Sequence, residues 1–562
     1  MSLSRKEFLR TMAIGAAGPL LPGWALAKTE PQNRNAGPIT LDDLKAAQKL
    51  HETKFTDEEL QAIVRDVNDV YTGNRGVREA AANYTSVPAT HFRIPGEQYA
   101  DSTMRTCTTR YIAGFKRPKS DEDIAFLSVV ELAELIRTKQ ITSTELTKIY
   151  LARMKKYGNN LRCLITLTEE RALAEAKQAD AEIAVGQYRG PLHGIPYGVK
   201  DLFAVPGYPT TWGAEPFKDQ MMEEEAAVVK KLSLSGGVLI AKLSMGALAQ
   251  GDVWFGGRTE SPWDPKIGSS GSSAGSGSAT AAGLVAFSIG TETSGSIVSP
   301  SHNCRVTGLR PTFGAVSRAG AMALCWSMDK IGPICRSAED CALVFQAILG
   351  GDENDPSSFD QAFEYKTPKG HDLSGYNLGY LVTREEDANK PVDVNGKPHL
   401  KLLADMGAEF KPVFLPEGPD GLFNILLAEC GAAFDSFTRS PAIQNLKNSS
   451  WPDTFRSAHF VSSIDLIQAD RARWDMAKDY HGRISPFDAI VADDRVYPRV
   501  YNLNLTGHPQ ILIPFGTNPN GSPRSFSIIG PYFGESNLLA IAHRVQMQTG
   551  HWRARPDMSI WE

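Results

Sequence analysis

A tract made almost wholly of glycine and serine spans residues 268–278 and leads directly into an apolar stretch that ends at Ile289. Such a composition is typical of a flexible linker. The apolar stretch after it must be buried, however, and a mobile loop at that place would cost conformational entropy without return. A second polar motif, residues 290–296, follows at once. The sequence therefore predicts two ordered loops joined by a buried segment.

One alternative interpretation of the tract is a different hydrolase. Residues 271–275 match the G-x-S-x-G pattern that carries the nucleophile of α/β-hydrolases on a sharp turn after a strand. The residues before them, 261–266, contain two prolines, which a central strand does not accommodate. An α/β-hydrolase esterase stays open as an alternative, but the local pattern disfavours it.

The rest of the chain alternates short apolar runs with helical patterns. With 562 residues, 42% of them hydrophobic, it can bury a large core. Because turn residues bound the apolar runs, we predict strands over 163–167, 238–241, 284–289, 378–382, 489–492 and 511–513. Their alternation with helices predicts an α/β fold with a mainly parallel sheet.

The first residues have the order of an export signal. Arg5, Lys6 and Arg10 precede an apolar or small stretch over 11–21, and residues 25–27 offer an A-x-A cleavage site. The segment is similar to a twin-arginine leader with Lys6 in place of the second arginine, so Tat and Sec export both stay open. No later segment has the roughly 18 apolar residues of a spanning helix. We expect a periplasmic or secreted protein with no membrane span in its mature form.

Charge and cysteine usage exclude some classes of partner. A net charge of −5, with no basic stripe, disfavours a nucleic-acid partner, since phosphate neutralisation needs clustered cations. The seven cysteines are scattered, without a C-x-x-C pair or a histidine at ligand spacing. We therefore predict no metal, no cofactor and no disulfide framework.

Three motifs together resemble the amidase signature family of serine hydrolases. Residues 194–201 read G-I-P-Y-G-V-K-D, the tract 268–278 contains G-S-S-A-G-S, and residues 290–296 read G-T-E-T-S-G-S. The separation of Ser272 from Ser296, 296 − 272 = 24 residues, matches the family spacing. Similar landmarks stand at 191–194, 261–265, 308–312 and 507–509, so that the resemblance covers about residues 126–556.

The resemblance implies a fold and a division of the chain. The fold would be the amidase-signature α/β fold, with a large central mixed, mainly parallel sheet covered by helices on both faces. The division would be an export signal over 1–27, an N-terminal helical extension over 28–125, and an amidase domain over 126–556 with a helical substrate cover near 415–480. Capping boxes at Thr56, Ser128 and Thr142, each with glutamate three residues later, predict helix starts.

The resemblance also implies a Ser-cis-Ser-Lys triad that cleaves a carboxamide bond. Ser296 would be the nucleophile, Lys200 the general base, and Ser272 the residue that passes the proton, with a cis peptide on its Ser273 side. The chemistry sets its own requirement, because a lysine accepts a proton only when it is neutral. Its pKa must fall about three units from roughly 10.4, which requires burial or a neighbouring cation. We therefore predict that Lys200 is enclosed.

The nucleophile motif also predicts the groups that stabilise the tetrahedral intermediate. Backbone N–H groups in the run Thr293, Ser294, Gly295 and Ser296 can converge on one point as an oxyanion hole. Ser273 and Glu292 are expected to support the loops. Glu292 stands where the family has aspartate, Ser294 stands where it has glycine, and Val298 stands where an arginine usually follows. We expect Arg305, at a position where the family usually has glycine, to supply the cation that pairs with Glu292.

The function expected from this resemblance is a cofactor-free amidase acting on small linear amides, with esterase or carbamate cleavage as a side activity. Homo-oligomerisation stays open. One alternative is a catalytically weak binding or assembly subunit, which the changes at Glu292, Ser294 and Val298 would permit. Another is an amidotransferase A-type subunit, which passes ammonia to charged tRNA. The export signal and the absence of a basic face count against the latter.

Overall fold

A computed structural model describes residues 38–80, 104–110, 112, 114–495 and 499–562. The predicted export signal at 1–27 lies outside the described residues. Seventeen α-helices are described: α1 Leu41–His51, α2 Asp57–Ala80, α3 Asp121–Ala125, α4 Val129–Arg137, α5 Ser143–Tyr157, α6 Glu169–Ala184, α7 Ala227–Leu234, α8 Ala274–Ala281, α9 Val298–Asn303, α10 Ala338–Ile348, α11 Pro398–Asp405, α12 Phe423–Ala433, α13 Asp435–Thr438, α14 Trp451–Ala458, α15 Ser463–Ile484, α16 Val500–Thr506 and α17 Glu535–Thr549.

The strands form one large sheet and three two-stranded sheets. They are β1 Arg105–Thr108, β2 Leu164–Leu167, β3 Pro196–Lys200, β4 Val238–Leu243, β5 Val253–Trp254, β6 Gly257–Arg258, β7 Glu260–Ser261, β8 Asp264–Gly268, β9 Phe287–Glu292, β10 Thr307–Arg310, β11 Lys330–Cys335, β12 Phe363–Lys366, β13 Leu378–Val382, β14 Phe410–Phe414, β15 Ala489–Asp493, β16 Gln510–Thr517 and β17 Pro523–Ile529. The large sheet has eleven strands in the order β14-β13-β15-β17-β16-β10-β11-β9-β3-β4-β2.

The sheet is mixed, with two parallel blocks that flank an antiparallel centre. Strands β14, β13 and β15 are parallel to one another, as are β9, β3 and β4, and the strands between β15 and β9 alternate in direction. Helices and sheet bury one extensive apolar core. The predicted α/β class with a large mixed sheet is confirmed.

Each of the six predicted strands overlaps an observed strand, but five strands of the large sheet were missed. The missed strands are β3, β10, β11, β14 and β17. Proline or glycine interrupts each of them except β17, which begins with proline and continues with arginine and serine. Such sequences lack the unbroken apolar run on which the prediction relied, and their pairing depends on neighbouring strands.

The topology brings the predicted motifs to one edge of the sheet. Strands β3 and β9 are parallel neighbours, so their carboxyl ends, Lys200 and Glu292, meet at the same edge. Strand β11 is antiparallel to β9 and begins there, with Lys330 opposite Glu292. The chain segments that leave β3 and β9 and enter β11 therefore surround a common site.

The N-terminal helices α1 and α2 pack against the helical region near the site. Leu44, Leu60, Ile63 and Val67 form a buried cluster with Phe460, which follows α14. The side-chain amide of Asn74 in α2 donates to Asp465 Oδ2 in α15 at 2.9 Å, in a buried position. The predicted extension also contains strand β1, which pairs in parallel with β12. The proposed boundaries of the extension and cover stay predictions.

The capping boxes predicted at Thr56, Ser128 and Thr142 are all present. Among the helices of the described ranges, none combines the length and apolarity needed to cross a bilayer.

Candidate active site

Lys200, the last residue of β3, is fully enclosed, as its predicted role requires. Its Nζ donates to Ser272 Oγ at 2.7 Å and to Thr291 Oγ1 at 2.8 Å. The two hydroxyls come from separate segments, the glycine-serine tract and strand β9. The structure thus joins all three predicted motifs at a single amine, because Thr291 belongs to the motif at 290–296.

Burial lowers the pKa of Lys200 to about 7, while the nearby negative charges of Asp329 and Glu292 act in the opposite direction. The cause is desolvation, because an ammonium group loses more hydration free energy than a neutral amine does when water is removed. A substantial fraction of the amine is therefore neutral near pH 7, a condition that a lysine base must meet.

Ser272 follows a cis peptide bond, which joins Gly271 to Ser272. We expected the cis bond on the other side, between Ser272 and Ser273, and that prediction was wrong. Gly271 is the residue that can lie close to the neighbouring loop, because a Cβ atom there would overlap the carbonyl oxygen of Gly251. The carbonyl of Ser272 in turn accepts from the N–H of Gly246 at 3.3 Å.

Ser273 holds the tract against strand β9. Its Oγ donates to the carbonyl of Thr291 at 3.0 Å, and the N–H of Thr291 donates back to the same Oγ at 3.1 Å. This reciprocal pair fixes the backbone of Thr291, whose side chain contacts the Lys200 amine. The N–H of Ser273 also donates to the carbonyl of Ser296 at 3.2 Å. Ser296 is therefore tied to the tract through its backbone.

The Ser296 hydroxyl makes no hydrogen bond to any residue in the described ranges, and the residue is 9% exposed. Gly295 precedes it with φ +95°, a conformation that favours glycine. The following N–H groups, those of Ile297 and Val298, are occupied, since both donate to Glu292 Oε2 at 2.8 and 2.9 Å. Glu292 thereby fixes the turn that carries Ser296 into helix α9.

The cation that pairs with Glu292 is Arg310, at the end of β10. Arg310 Nη1 lies 2.8 Å from Glu292 Oε1, and both side chains are fully buried. Asn504 Nδ2 donates to the same oxygen at 2.9 Å, and Arg310 Nη2 donates to the carbonyl of His508 at 2.9 Å. The landmarks at 308–312 and 507–509 therefore support Glu292, which holds the loop that carries Ser296.

Arg305 does not pair with Glu292, and that prediction was wrong. Its guanidinium lies over the ring of Trp263 at 4.3 Å and donates to the carbonyl of Gly521 at 2.9 Å. The physical reason is the chain path, because Arg305 follows the end of helix α9 whereas Glu292 precedes its start. The correct partner, Arg310, lies inside the landmark at residues 308–312, which is where the sequence could have indicated it.

Asp329 and Thr291 are the site residues that sequence reasoning missed. Thr293 Oγ1 donates to Asp329 Oδ1 at 2.6 Å, while the N–H groups of Leu324 and Cys325 donate to Asp329 Oδ2 at 2.8 and 3.0 Å. Asp329 thus orders two loops beside Lys200. Thr291 lies inside the quoted nucleophile motif, but nothing in one sequence marks it as a partner of the amine.

Asp201, the buried carboxylate that follows Lys200 in the chain, belongs to a separate pair. Asp201 lies 2.9 Å from Lys242 Nζ and accepts from the N–H of Thr211 at 2.8 Å. It is not among the charges that act on Lys200. Across the part of the chain that the structure describes, no three histidine, cysteine, aspartate or glutamate side chains are grouped to hold a metal ion.

The sequence pattern that defines the Amidase family matches residues 145–492, which is more than half of the chain. The chain belongs to the amidase signature family. A Mycobacterium tuberculosis protein named as a putative amidase, AmiD, is 34% identical over 482 residues, which are 78% of this chain and 98% of that protein. The A-type subunit of the glutamyl-tRNA(Gln) amidotransferase of Methylococcus capsulatus is 31% identical over 483 residues, 77% of this chain and 99% of the relative.

Solved structures of the amidase signature family agree with the fold. The peptide amidase of Stenotrophomonas maltophilia is 28% identical, covers 76% of this chain and 97% of its own, and superposes with a TM-score of 0.63. An amidase family protein of Bacillus anthracis is 25% identical, with coverages of 78% and 93% and a TM-score of 0.68. Family membership supports amide hydrolysis as the activity.

Proposed function

We propose that this protein is an amidase that cleaves linear carboxamides through an acyl-enzyme on Ser296, with Lys200 as general base and Ser272 as proton carrier. The observation that carries the proposal is the enclosed amine of Lys200, 2.7 Å from the Ser272 hydroxyl and with a pKa lowered to about 7. An amide is a poor electrophile, so attack by a hydroxyl needs a base that removes the proton as the bond forms.

The order of proton transfers follows from these contacts. Neutral Lys200 accepts the proton of Ser272, which takes that of Ser296 as the Ser296 oxygen attacks the carbonyl carbon. Collapse of the tetrahedral intermediate breaks the C–N bond, and the amine leaves with the proton returned through Ser272. Water then attacks the acyl-enzyme by the same route, releasing the acid and restoring Ser296.

The backbone around Ser296 supports an oxyanion hole. Within the described residues, the N–H groups of Ser294, Gly295 and Ser296 donate to no protein acceptor, whereas those of Ile297 and Val298 are held by Glu292. Free donors on consecutive residues can stabilise a developing oxyanion, and loss of one such donor typically raises the barrier by about 3 kcal/mol. Thr293, at the start of this run, is fixed by Asp329.

The proposed setting is the periplasm or the cell exterior, with a small-molecule amide as substrate, no nucleic-acid partner and esterase or carbamate cleavage as side activities. The similarity to an amidotransferase A-type subunit favours a second candidate, a chain that releases ammonia for a partner protein. The two differ in a simple property, because a free-standing amidase turns over amides as a purified single chain.

Labelling with a fluorophosphonate tests the nucleophile. We expect stoichiometric labelling of Ser296 in the purified protein, because the base in contact with Ser272 activates that hydroxyl. Mass spectrometry of the digested protein identifies the labelled residue. Ser296→Ala should remove both labelling and turnover and leave the circular dichroism spectrum unchanged. A well-folded preparation that takes no label, or takes it on another residue, would contradict the proposal.

The pH dependence tests the base. In the parent protein kcat/KM should rise with pH through about 7 as Lys200 loses its proton. Asp329→Asn removes the larger of the two negative-charge effects that favour the protonated amine, so the pKa of Lys200 falls. The acidic limb should then move to lower pH, and the plateau should drop because the base is weaker.

A matched control for this substitution is Asp340→Asn. Asp340 is also buried, but it lies in the first turn of helix α10 and is not among the charges that act on Lys200. The acidic limb of the kcat/KM profile of Asp340→Asn should stay at the pH of the parent protein. An unmoved limb in Asp329→Asn, measured as kcat/KM from about pH 5 to about pH 9 on one amide, would show that Lys200 is not the titrating base.

A further inference from the structure

Arg305 adopts a backbone conformation that is costly for a residue with a side chain. Its φ is +54°, in the left-handed region that favours glycine. Arg305 follows the last turn of helix α9, where the N–H of Val306 donates to the carbonyl of Ser301 at 3.0 Å, and helices commonly end on a residue in this conformation. The role expected for Arg305 was to pair with Glu292, which Arg310 performs instead. The guanidinium therefore has no function in the amidase chemistry described above.

The side chain of Arg305 instead lines a cavity of about 430 Å³ next to strand β16. Arg524 and His551 line the same cavity, together with the apolar groups of Pro514, Phe515 and Ala554. The lining contains no aspartate or glutamate, and it contains none of the residues around the Lys200 amine. The cavity is thus a separate place, with two arginines beside an apolar wall.

The charges of the two arginines are not neutralised by the described part of the protein. Neither arginine forms an ion pair there. Arg305 donates to the carbonyl of Gly521, and Arg524 Nε donates to Asn518 Oδ1 at 3.1 Å. Arg305 Nε is buried and has no hydrogen-bond acceptor among the described residues. Both arginine side chains are partly exposed, so an anion that enters the cavity would meet two cations that no carboxylate of the described residues neutralises.

The guanidinium of Arg305 is also held in place. It lies over Trp263 at 4.3 Å from the ring centroid, and Trp263 Nε1 is itself fixed by donation to the carbonyl of Cys304 at 2.7 Å. A planar guanidinium fixed by stacking offers parallel N–H groups that match the two oxygens of a carboxylate or the oxygens of a phosphate. The site is therefore pre-organised for an oxyanion.

We propose that the cavity between Arg305, Arg524 and His551 binds a small anionic ligand whose negative group, a carboxylate or a phosphate, meets the two guanidinium groups and whose apolar part packs on Pro514 and Phe515. The ring of Phe515 lies against His551, with centroids 5.4 Å apart, so the apolar wall is continuous with the cationic side. This ligand is distinct from the amide at Ser296.

Isothermal titration calorimetry on the intact protein, with benzoate, phenyl phosphate and inorganic phosphate as probes, tests the proposal. Fluorophosphonate-treated protein and Ser296→Ala are both titrated, so that binding of benzoate at the proposed active site is recognised. We expect one equivalent of benzoate or phenyl phosphate to bind outside the active site. Inorganic phosphate should bind more weakly than phenyl phosphate, because it lacks the apolar part.

Two substitutions locate the ligand. Arg305→Gly and Arg524→Gln should each weaken binding about tenfold or more, since each removes a charge-assisted hydrogen bond. Arg305→Gly places glycine at φ +54°, where it is favoured, so the fold should survive. The control is Arg384→Gly, at an arginine whose side chain is 65% exposed and which does not line the cavity. It should bind as the parent does.

The outcomes separate clearly. Binding that both cavity substitutions weaken and the control does not supports the site, and the tighter of the two phenyl probes identifies carboxylate or phosphate as the preferred group. Absence of binding by both phenyl probes at millimolar concentration would overturn the proposal, as would binding that neither cavity substitution changes. Equal affinity for inorganic phosphate and phenyl phosphate would overturn the proposed apolar contact of the ligand with Pro514 and Phe515. None of these outcomes depends on turnover at Ser296.

Discussion

Replacement of Lys200 with methionine should lower kcat by a factor on the order of 10⁴ while the protein stays folded. Methionine fills a similar space and adapts to an irregular apolar pocket, so the packing around the end of β3 is retained. The amine that contacts Ser272 and Thr291 is lost, so the proposed mechanism has no base to take the Ser296 proton. Single-turnover kinetics on an activated anilide, with circular dichroism to confirm folding, measure the effect.

The chain offers a matched control in Lys330. This lysine is also buried, and its pKa is likewise lowered to about 7 by desolvation and by Arg310. Its amine donates to the carbonyls of Met328 and Asn504 rather than to a hydroxyl. Lys330→Met should keep most of the activity. Equal losses in the two variants would mean that a buried amine is needed for structure, and the base assignment would fail.

Replacement of Glu292 with glutamine should lower the free energy of unfolding by about 3–5 kcal/mol, because it leaves the buried charge of Arg310 without its partner. Both side chains are fully buried, and Glu292 also holds the N–H groups of Ile297 and Val298. The turn that presents Ser296 should loosen as well, so kcat should fall along with stability. Urea unfolding followed by fluorescence measures the first effect.

Two further variants separate an uncompensated charge from a change of shape. The double variant Glu292→Gln with Arg310→Met removes both charges and should be more stable than Glu292→Gln alone. Glu386→Ala breaks the exposed pair with Arg384, at 65% and 62% exposure, and should change stability by less than about 1 kcal/mol. If the double variant is as unstable as the single one, the burial of an unpaired Arg310 is not the cause.

The predictability of this site differs from residue to residue. Lys200 and Ser272 could be placed together because their motifs resemble those of the amidase signature family, and burial of Lys200 followed from the need for a neutral amine. Arg310 could not be assigned to Glu292 in the same way. Their contact depends on which strands are neighbours in the sheet, and β10 was not recognised as a strand.

Asp329 shows the same limit. It precedes β11, a strand whose Gly332 and Pro333 conceal it from a search for apolar runs. Only the antiparallel pairing of β11 with β9 brings Asp329 to Thr293 and near Lys200. Local pattern thus identified the groups that do the proposed chemistry, whereas the groups that orient them came from strand order.

The contact of α2 with α15 determines which N-terminal truncations of this protein keep its apolar surface covered. The family pattern matches from residue 145, which invites removal of everything before it. Such a shortened chain would lose Leu60, Ile63 and Val67, leaving Phe460 uncovered, and would strip Asp465 of the amide of Asn74. Helices α1 and α2 thus cover apolar surface on the helical region after β14. Their removal would expose that surface to solvent and favour aggregation.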